Sequence, residues 1–262
     1  MDYSKYSFLK IEKLDNGIAL IKLNRPETLN ACDAAGHHEM GQIWLDIDAD
    51  DEVKVAVITG EGKAFCSGGD LHKADVNDPK LIQHVIKSDM AIVHNMVNME
   101  KPVVSAINGV AVGAGLSVAL LSDISIMGEK ARLIDGHTKL GVVAGDHSAI
   151  IWPLLCGMAK SKYYLLLCEG ILGPEAERLG MVSRCVPQEE VLSTAMEIAE
   201  KLANGSQWAI RGTKKVLNSW LRMAQPIFDY SAMMEMSSFF LPDAKEGVQA
   251  FREKREAKFP NL

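Results

Sequence analysis

Apolar and β-branched residues fill positions 8–14 and 18–23, and Asp15-Asn16-Gly17 separates the two runs, so the chain is expected to open with a β-hairpin. Asn24-Arg25-Pro26 interrupts this pattern. Asp33 can then cap a helix reaching about Ala49, along which Met40, Ile43, Trp44 and Ile47 recur at helical spacing. The valines and isoleucines of residues 53–59 predict a buried strand that ends in Gly60-Glu61-Gly62. Residues 63–71, KAFCSGGDL, again set glycines after a strand, with Asp70 available to start a helix. A polar stretch at 75–79 reads as a mobile loop. Residues 81–98 read as a helix carrying Ile82, Val85, Ile86, Met90, Val93, Met96 and Val97.

Residues 102–126, PVVSAINGVAVGAGLSVALLSDISI, repeat the device of strand, glycine turn and helix. Such a turn offers unpaired backbone N–H groups to a negative charge, although the same small residues also serve close packing of two elements. Short strands follow at 123–127 and 131–134, then the polar Asp135-Gly136-His137, a loop at 141–145, and Asp146 positioned to cap a helix through Leu155. Helical periodicity returns at 161–167, 174–179 and 189–203, with a short strand at 182–186. The chain from 206 to about 259 reads as helical with a break at Pro242-Asp243. Alternating strands and helices predict an α/β fold with a smaller terminal helical layer. Phe239, Phe240, Val248 and Phe251 load that layer with more apolar surface than a lone helical hairpin hides, which predicts a partner chain.

Composition narrows the class. Of 262 residues, 48% are hydrophobic and 24% charged, which is ordinary for a globular chain, and the net charge of −6 leaves no basic footprint for nucleic acid. Five widely spaced cysteines without a CxxC pair argue against a disulfide framework or a zinc site, and read as reduced thiols of a cytoplasmic protein. The first residues lack an apolar h-region and a cleavage site, so no signal peptide is expected. Ser117, Ser122 and Asp123 interrupt the most apolar window, so no membrane span is expected either. Neither glycine turn reads GxGxxG with an acid at the end of the next strand, which disfavours a dinucleotide site.

Four segments together resemble the crotonase, or enoyl-CoA hydratase/isomerase, superfamily: LNRPETLNA (23–31), GKAFCSGGDL (62–71), KPVVSAINGVAVGAGLSVALLSDISI (101–126) and AKEGVQAFREKREAKF (244–259). The resemblance spans nearly the whole chain in the right order. It implies a crotonase-like spiral of ββα repeats over residues 1–200, holding an acyl-CoA site. It further implies a C-terminal helical region over residues 201–262 for trimerisation and CoA contact, with trimers often paired into hexamers. CoA would be part of the substrate, with no separate cofactor and no metal. The backbone N–H groups of Gly69 and Ala114 match those that meet at the thioester oxygen. Preorganised donors of this kind stabilise an enolate, each contributing about 3 kcal/mol. The loop of Ser67, Asp70, Leu71 and His72 would lie along the CoA, Ser117 would contact the substrate, and Phe251 and Lys254 match C-terminal CoA contacts; Lys254 also reads as a solvated charge within EKREAK. Glu27 stands where the family often has a basic residue near the CoA phosphates, which weakens that contact.

Ser117 and His137 occupy the positions of the family's two hydratase glutamates, so hydration by a glutamate pair is not implied. His137 and Asp146 remain as candidates for moving a proton. Histidine is suited to acid–base work near neutrality, and Asp146 would orient it or bind substrate. In the bland alternative Asp146 caps its helix and His137 bonds its own loop, while His147 is expected to point away. The spacing of His137 and Asp146, followed by a Trp-Pro pair, is also similar to the β-diketone hydrolase branch, although Ala114 replaces that branch's histidine at the glycine turn. The expected activity is hydratase- or isomerase-like chemistry on an acyl-CoA thioester. The alternatives are retro-Claisen hydrolysis of a β-diketone or cyclic β-keto acyl-CoA, and a catalytically degenerate acyl-CoA binding protein.

Overall fold

The computed structural model describes residues 1–72, 75 and 77–260. The expected hairpin forms from β1 (Leu9–Lys13) and β2 (Ile18–Leu23), antiparallel, with Gly17 at φ +81° in the turn that only glycine enters freely. Asp33 caps α1 (Ala34–Ala49) through the Gly36 N–H at 3.0 Å, as its position predicts. There follow β3 (Val55–Gly60), α2 (Pro79–Asn98), β4 (Val103–Ile107), β5 (Ala111–Val112), α3 (Gly113–Leu121), β6 (Ile124–Gly128) and β7 (Arg132–Ile134). Then come α4 (Ser148–Leu167), β8 (Ile171–Leu172), α5 (Gly173–Leu179), β9 (Arg184–Val186) and α6 (Val191–Ala203). The chain closes with α7 (Gln207–Leu217), α8 (Ser219–Met223), α9 (Gln225–Ser238) and α10 (Pro242–Glu253).

The strands form a six-stranded sheet in the order β1-β2-β3-β4-β6-β9, parallel beyond the first hairpin, and a three-stranded sheet β5-β7-β8. Because a strand's side chains alternate, β2 sends Ile18 and Leu20 to one face and Ala19, Ile21 and Leu23 to the other. The first face packs on Val191, Ala195 and Ala199 of α6; the second meets Met40, Ile43 and Trp44 of α1. β3 and β4 are buried on both faces, which is why they read as nearly continuous apolar runs. Each buried Val, Leu, Ile or Met among them contributes about 1.5–3 kcal/mol by leaving water.

Several expectations change. Asp70 does not start a helix: its N–H bonds the carbonyl of Cys32 at 2.9 Å, which keeps the chain in an extended bridge. The helix begins later, where Asp78 accepts from the Lys80 N–H at 2.9 Å and Pro79 occupies a first-turn position that needs no donor. Of the expected loop 75–79, Val76 lies outside the described residues. The helices expected at 146–155 and 161–167 form one element, α4, kinked at Gly157 (φ +76°). The C-terminal stretch breaks at Asn218 and Ala224 as well as before Pro242. Among the described residues no helix is long and apolar enough to cross a membrane.

Candidate active site

One cavity of about 600 Å³ is enclosed by the two glycine loops, α1, α2, the turn after β7 and the C-terminal helices. Its first wall is backbone. Cys66 and Ala111 form a parallel bridge, with Cys66 N–H bonded to Val110 and Val112 N–H bonded to Cys66, so the two loops leave the bridge in step. Three residues on, Gly69 and Ala114 both line the cavity. Gly68 (φ +89°) and Gly113 (φ +51°) make the turns. Gly115 is demanded by approach: a Cβ there would lie 2.3 Å from the Cβ of Cys66. The bridge between Cys32 and Gly69 uses the Gly68 carbonyl and the Asp70 N–H, which turns the Gly69 N–H to the other side. α3 begins with no side-chain cap, so its first-turn N–H groups, Ala114 included, have no intrahelical acceptor.

The second wall is charged. Asp135 follows directly on β7, and its Oδ1 lies 2.9 Å from His137 Nδ1. The other ring nitrogen of His137 lies 3.5 Å from Glu235 Oε1 and 3.8 Å from Asp146 Oδ2. Asp146 does not cap α4. It turns to His147 Nδ1 at 2.6 Å, and His147, fully buried rather than outward, accepts from Trp152 Nε1 at 3.2 Å. Ser148 Oγ donates to the second oxygen of Asp135 at 3.4 Å. Glu235 comes from α9, nearly a hundred residues away in sequence. It arrives because Gly145 has no side chain: a Cβ there would meet the Ser231 carbonyl at 2.2 Å and the Cβ of Glu235 at 2.8 Å. Ser231 Oγ donates to the Gly145 carbonyl at 2.8 Å and fastens the contact.

Burial and charge set the protons. Burial pushes Glu235 up to about 7 against the pull of His137, and its Oε2 has no hydrogen-bond partner among the described residues. For His137 burial opposes the cation, but Asp135, Asp146 and Glu235 outweigh it and hold the ring's pKa well above the usual imidazole value. Burial likewise works against ionised Asp146, yet His147 and His137 bring its carboxyl below the ordinary range, and His147 is raised in return. His137, Asp146 and Glu235 each offer one atom within 4.8 Å of the others, a spacing a cation also fits; ligation would need an unprotonated Nε2, which these carboxylates disfavour.

Ser67, Asp70, Leu71 and Phe251 line the cavity with Gly69, Ala114, His137 and Asp146. His72 is exposed and lies against the ring of Phe251, centroids 5.8 Å apart, while Lys254 is an exposed left-handed cap of α10. Ser117 is buried with its hydroxyl on the Gly113 carbonyl at 3.3 Å, away from the cavity lining. Asp135, Glu235, His37 and Asp89 escaped the sequence reading. For Glu235 only the one charge within an otherwise uncharged stretch, SAMMEMSSFF, marked it.

A family model described as enoyl-CoA hydratase/isomerase matches residues 13–261. The chain is 32% identical over 250 residues to an (E)-benzylidenesuccinyl-CoA hydratase of Thauera aromatica, covering 94% of this chain and 97% of that one. The solved structure of an enoyl-CoA hydratase/isomerase from Mycobacterium paratuberculosis superposes with a TM-score of 0.89 at 32% identity, covering 94% and 99% of the two chains. A β-diketone hydrolase from the cyanobacterium Anabaena sp. PCC 7120, solved with (S)-3-oxocyclohexyl acetic acid, superposes with a TM-score of 0.84 at 27% identity, covering 91% and 96%.

Proposed function

The chain belongs to the enoyl-CoA hydratase/isomerase family, and we propose that it adds water to, or shifts the double bond of, an unsaturated acyl-CoA thioester through an enolate. The observation that carries this is the position of Glu235 Oε1, 3.5 Å from His137 Nε2, in the cavity that Gly69 and Ala114 line with backbone. The thioester oxygen accepts the two N–H groups, which stabilise the charge that develops as the β-carbon is attacked. Glu235, poised near neutrality, takes a proton from water as the water oxygen bonds to the β-carbon. The imidazolium of His137, steadied by Asp135, delivers a proton to the α-carbon. The proton on Glu235 then returns to His137 across their contact, and the net change is one water added.

A second reading draws on the β-diketone hydrolase likeness and on the absence of a carboxylate at Ser117 and His137. The same water would attack a ketone carbon of a β-diketone or cyclic β-keto acyl-CoA. The bond to the neighbouring carbon would break, and His137 would protonate the released enolate. Incubation with crotonyl-CoA, ring-bearing enoyl-CoAs and cyclic diketones, with products read by mass spectrometry and NMR, separates the two. A new alcohol on an intact skeleton supports hydration; a new carboxylate from a broken carbon–carbon bond supports hydrolysis. Tight acyl-CoA binding without turnover would instead mark a degenerate binding protein. Unchanged turnover in His137→Ala would remove His137 from either mechanism. The exposed Trp220, Met223, Ile227 and Tyr230 of α8 and α9 are the face proposed for self-association into trimers, which light scattering tests.

A further inference from the structure

The acyl-thioester reading above is the premise for a further assignment on α2. That helix lays Ile82, Val85 and Ile86 along the cavity at helical spacing, and the next position on the same face is Asp89. An apolar residue there would continue the wall. A carboxylate is costly to bury unless something donates to it. Asp89 is buried, lines the cavity, and its Oδ1 has no hydrogen bond among the described residues; His37 Nε2 stands 3.5 Å away without forming one. His37 is fixed from its far side, where Nδ1 lies 2.9 Å from the carbonyl of Asp33. A carbonyl only accepts, so the proton sits on Nδ1 and the other ring nitrogen faces the carboxylate.

We infer that Asp89 accepts a hydrogen bond from a hydroxyl on the acyl part of the substrate, and so selects hydroxyl-bearing acyl groups over their plain counterparts. The carbon skeleton lies on Ile82, Val85 and Ile86 while the single hydroxyl meets the carboxylate. A ligand without the hydroxyl leaves that carboxylate desolvated and unpaired, which is the situation in which polar sites discriminate most strongly.

Calorimetry with cyclohexylacetyl-CoA and its 3-hydroxy and 4-hydroxy derivatives, none of which carries a double bond to hydrate, tests the assignment. At least one hydroxylated ligand should bind wild type about tenfold or more tightly than the plain one, the range for a hydrogen bond to a charged group. Asp89→Asn should shrink that ratio to a few-fold, and Asp89→Leu should reverse it. Should the leucine variant not fold, the asparagine variant carries the comparison. Equal binding of all three ligands by wild type, or a preference that survives in Asp89→Asn at full size, overturns this inference and leaves the thioester reading standing. Binding of none of the three by wild type overturns both.

Discussion

The backbone wall and the charged wall of the cavity differ in how much of the chain must be in place before each exists. Gly69 and Ala114 need two loops joined by one parallel bridge, Cys66 to Ala111, each loop making its own turn. The charged wall needs Asp135 and His137 from one turn, Asp146 from the next, and Glu235 from α9, all brought within 4 Å of one ring. Backbone donors are the same whatever the side chains, so small residues suffice to present them. A cluster of three carboxylates around one imidazole is held because the His137 charge offsets the burial of its acidic neighbours, while Glu235 is pushed toward its neutral form. The comparison implies that the first wall is broken by adding volume and the second by removing charge.

The largest effect should come from the charged wall. Glu235→Gln keeps the shape and removes the group that exchanges a proton, so kcat should fall by about 10²–10⁴-fold with KM nearly unchanged, as steady-state kinetics will read. Gly115→Ala attacks the backbone wall, since its Cβ would fall 2.3 Å from that of Cys66. The displaced loop should lower kcat/KM by about 10²–10³-fold, the range for losing one oxyanion donor. Cys66→Gly in the same chain should restore part of that loss. Recovery would show that the fault was the clash, which has no counterpart in the charged wall.

Stability against pH separates the walls more finely. Glu235 binds its proton more tightly in the folded chain, at about 7 against an ordinary 4.5, so its contribution falls as pH climbs through that window. Asp89, raised by burial to about 6, adds a slope of the same sign from its ordinary 3.8. His137, raised as well, supports the fold fully below the ordinary imidazole value and loses that support as pH rises through its higher folded value. Melting curves between pH 5 and 8 should therefore fall less steeply for Glu235→Gln than for wild type, whereas Gly115→Ala should shift the whole curve down. The smallest change is expected at Lys254, exposed on the rim: Lys254→Ala should raise KM for a CoA thioester by less than about fivefold and leave kcat alone.

The backbone wall was legible in the residues because its parts are local. The GAG turn announces strand, turn and helix, GKAFCSGGDL a strand and turn without the helix expected from Asp70, and the pairing of Cys66 with Ala111 puts Gly69 and Ala114 on one cavity. His137 and Asp146 could be nominated from spacing, but their roles could not. The capping expected of Asp146 gave way to a bond with His147, and a buried His147 reversed the expectation that it points outward, because a charged pair inside the protein outcompetes a cap that water could replace. Glu235 and Asp89 carried only weak marks, acids standing among apolar helix neighbours, whose meaning depends on what the opposite wall supplies.

By itself the sequence determined the order of strands and helices, the glycine turns, the family and the missing glutamates at 117 and 137, since these depend on neighbours within a few residues or on motifs read in order. Only the tertiary structure decided which acids surround His137, which way they push its pKa, and that a carboxylate on α2, beside His37, looks into the same cavity. Protonation and burial are properties of everything packed around a group, and those neighbours come from α1, α2, the loop before α4 and α9 at once.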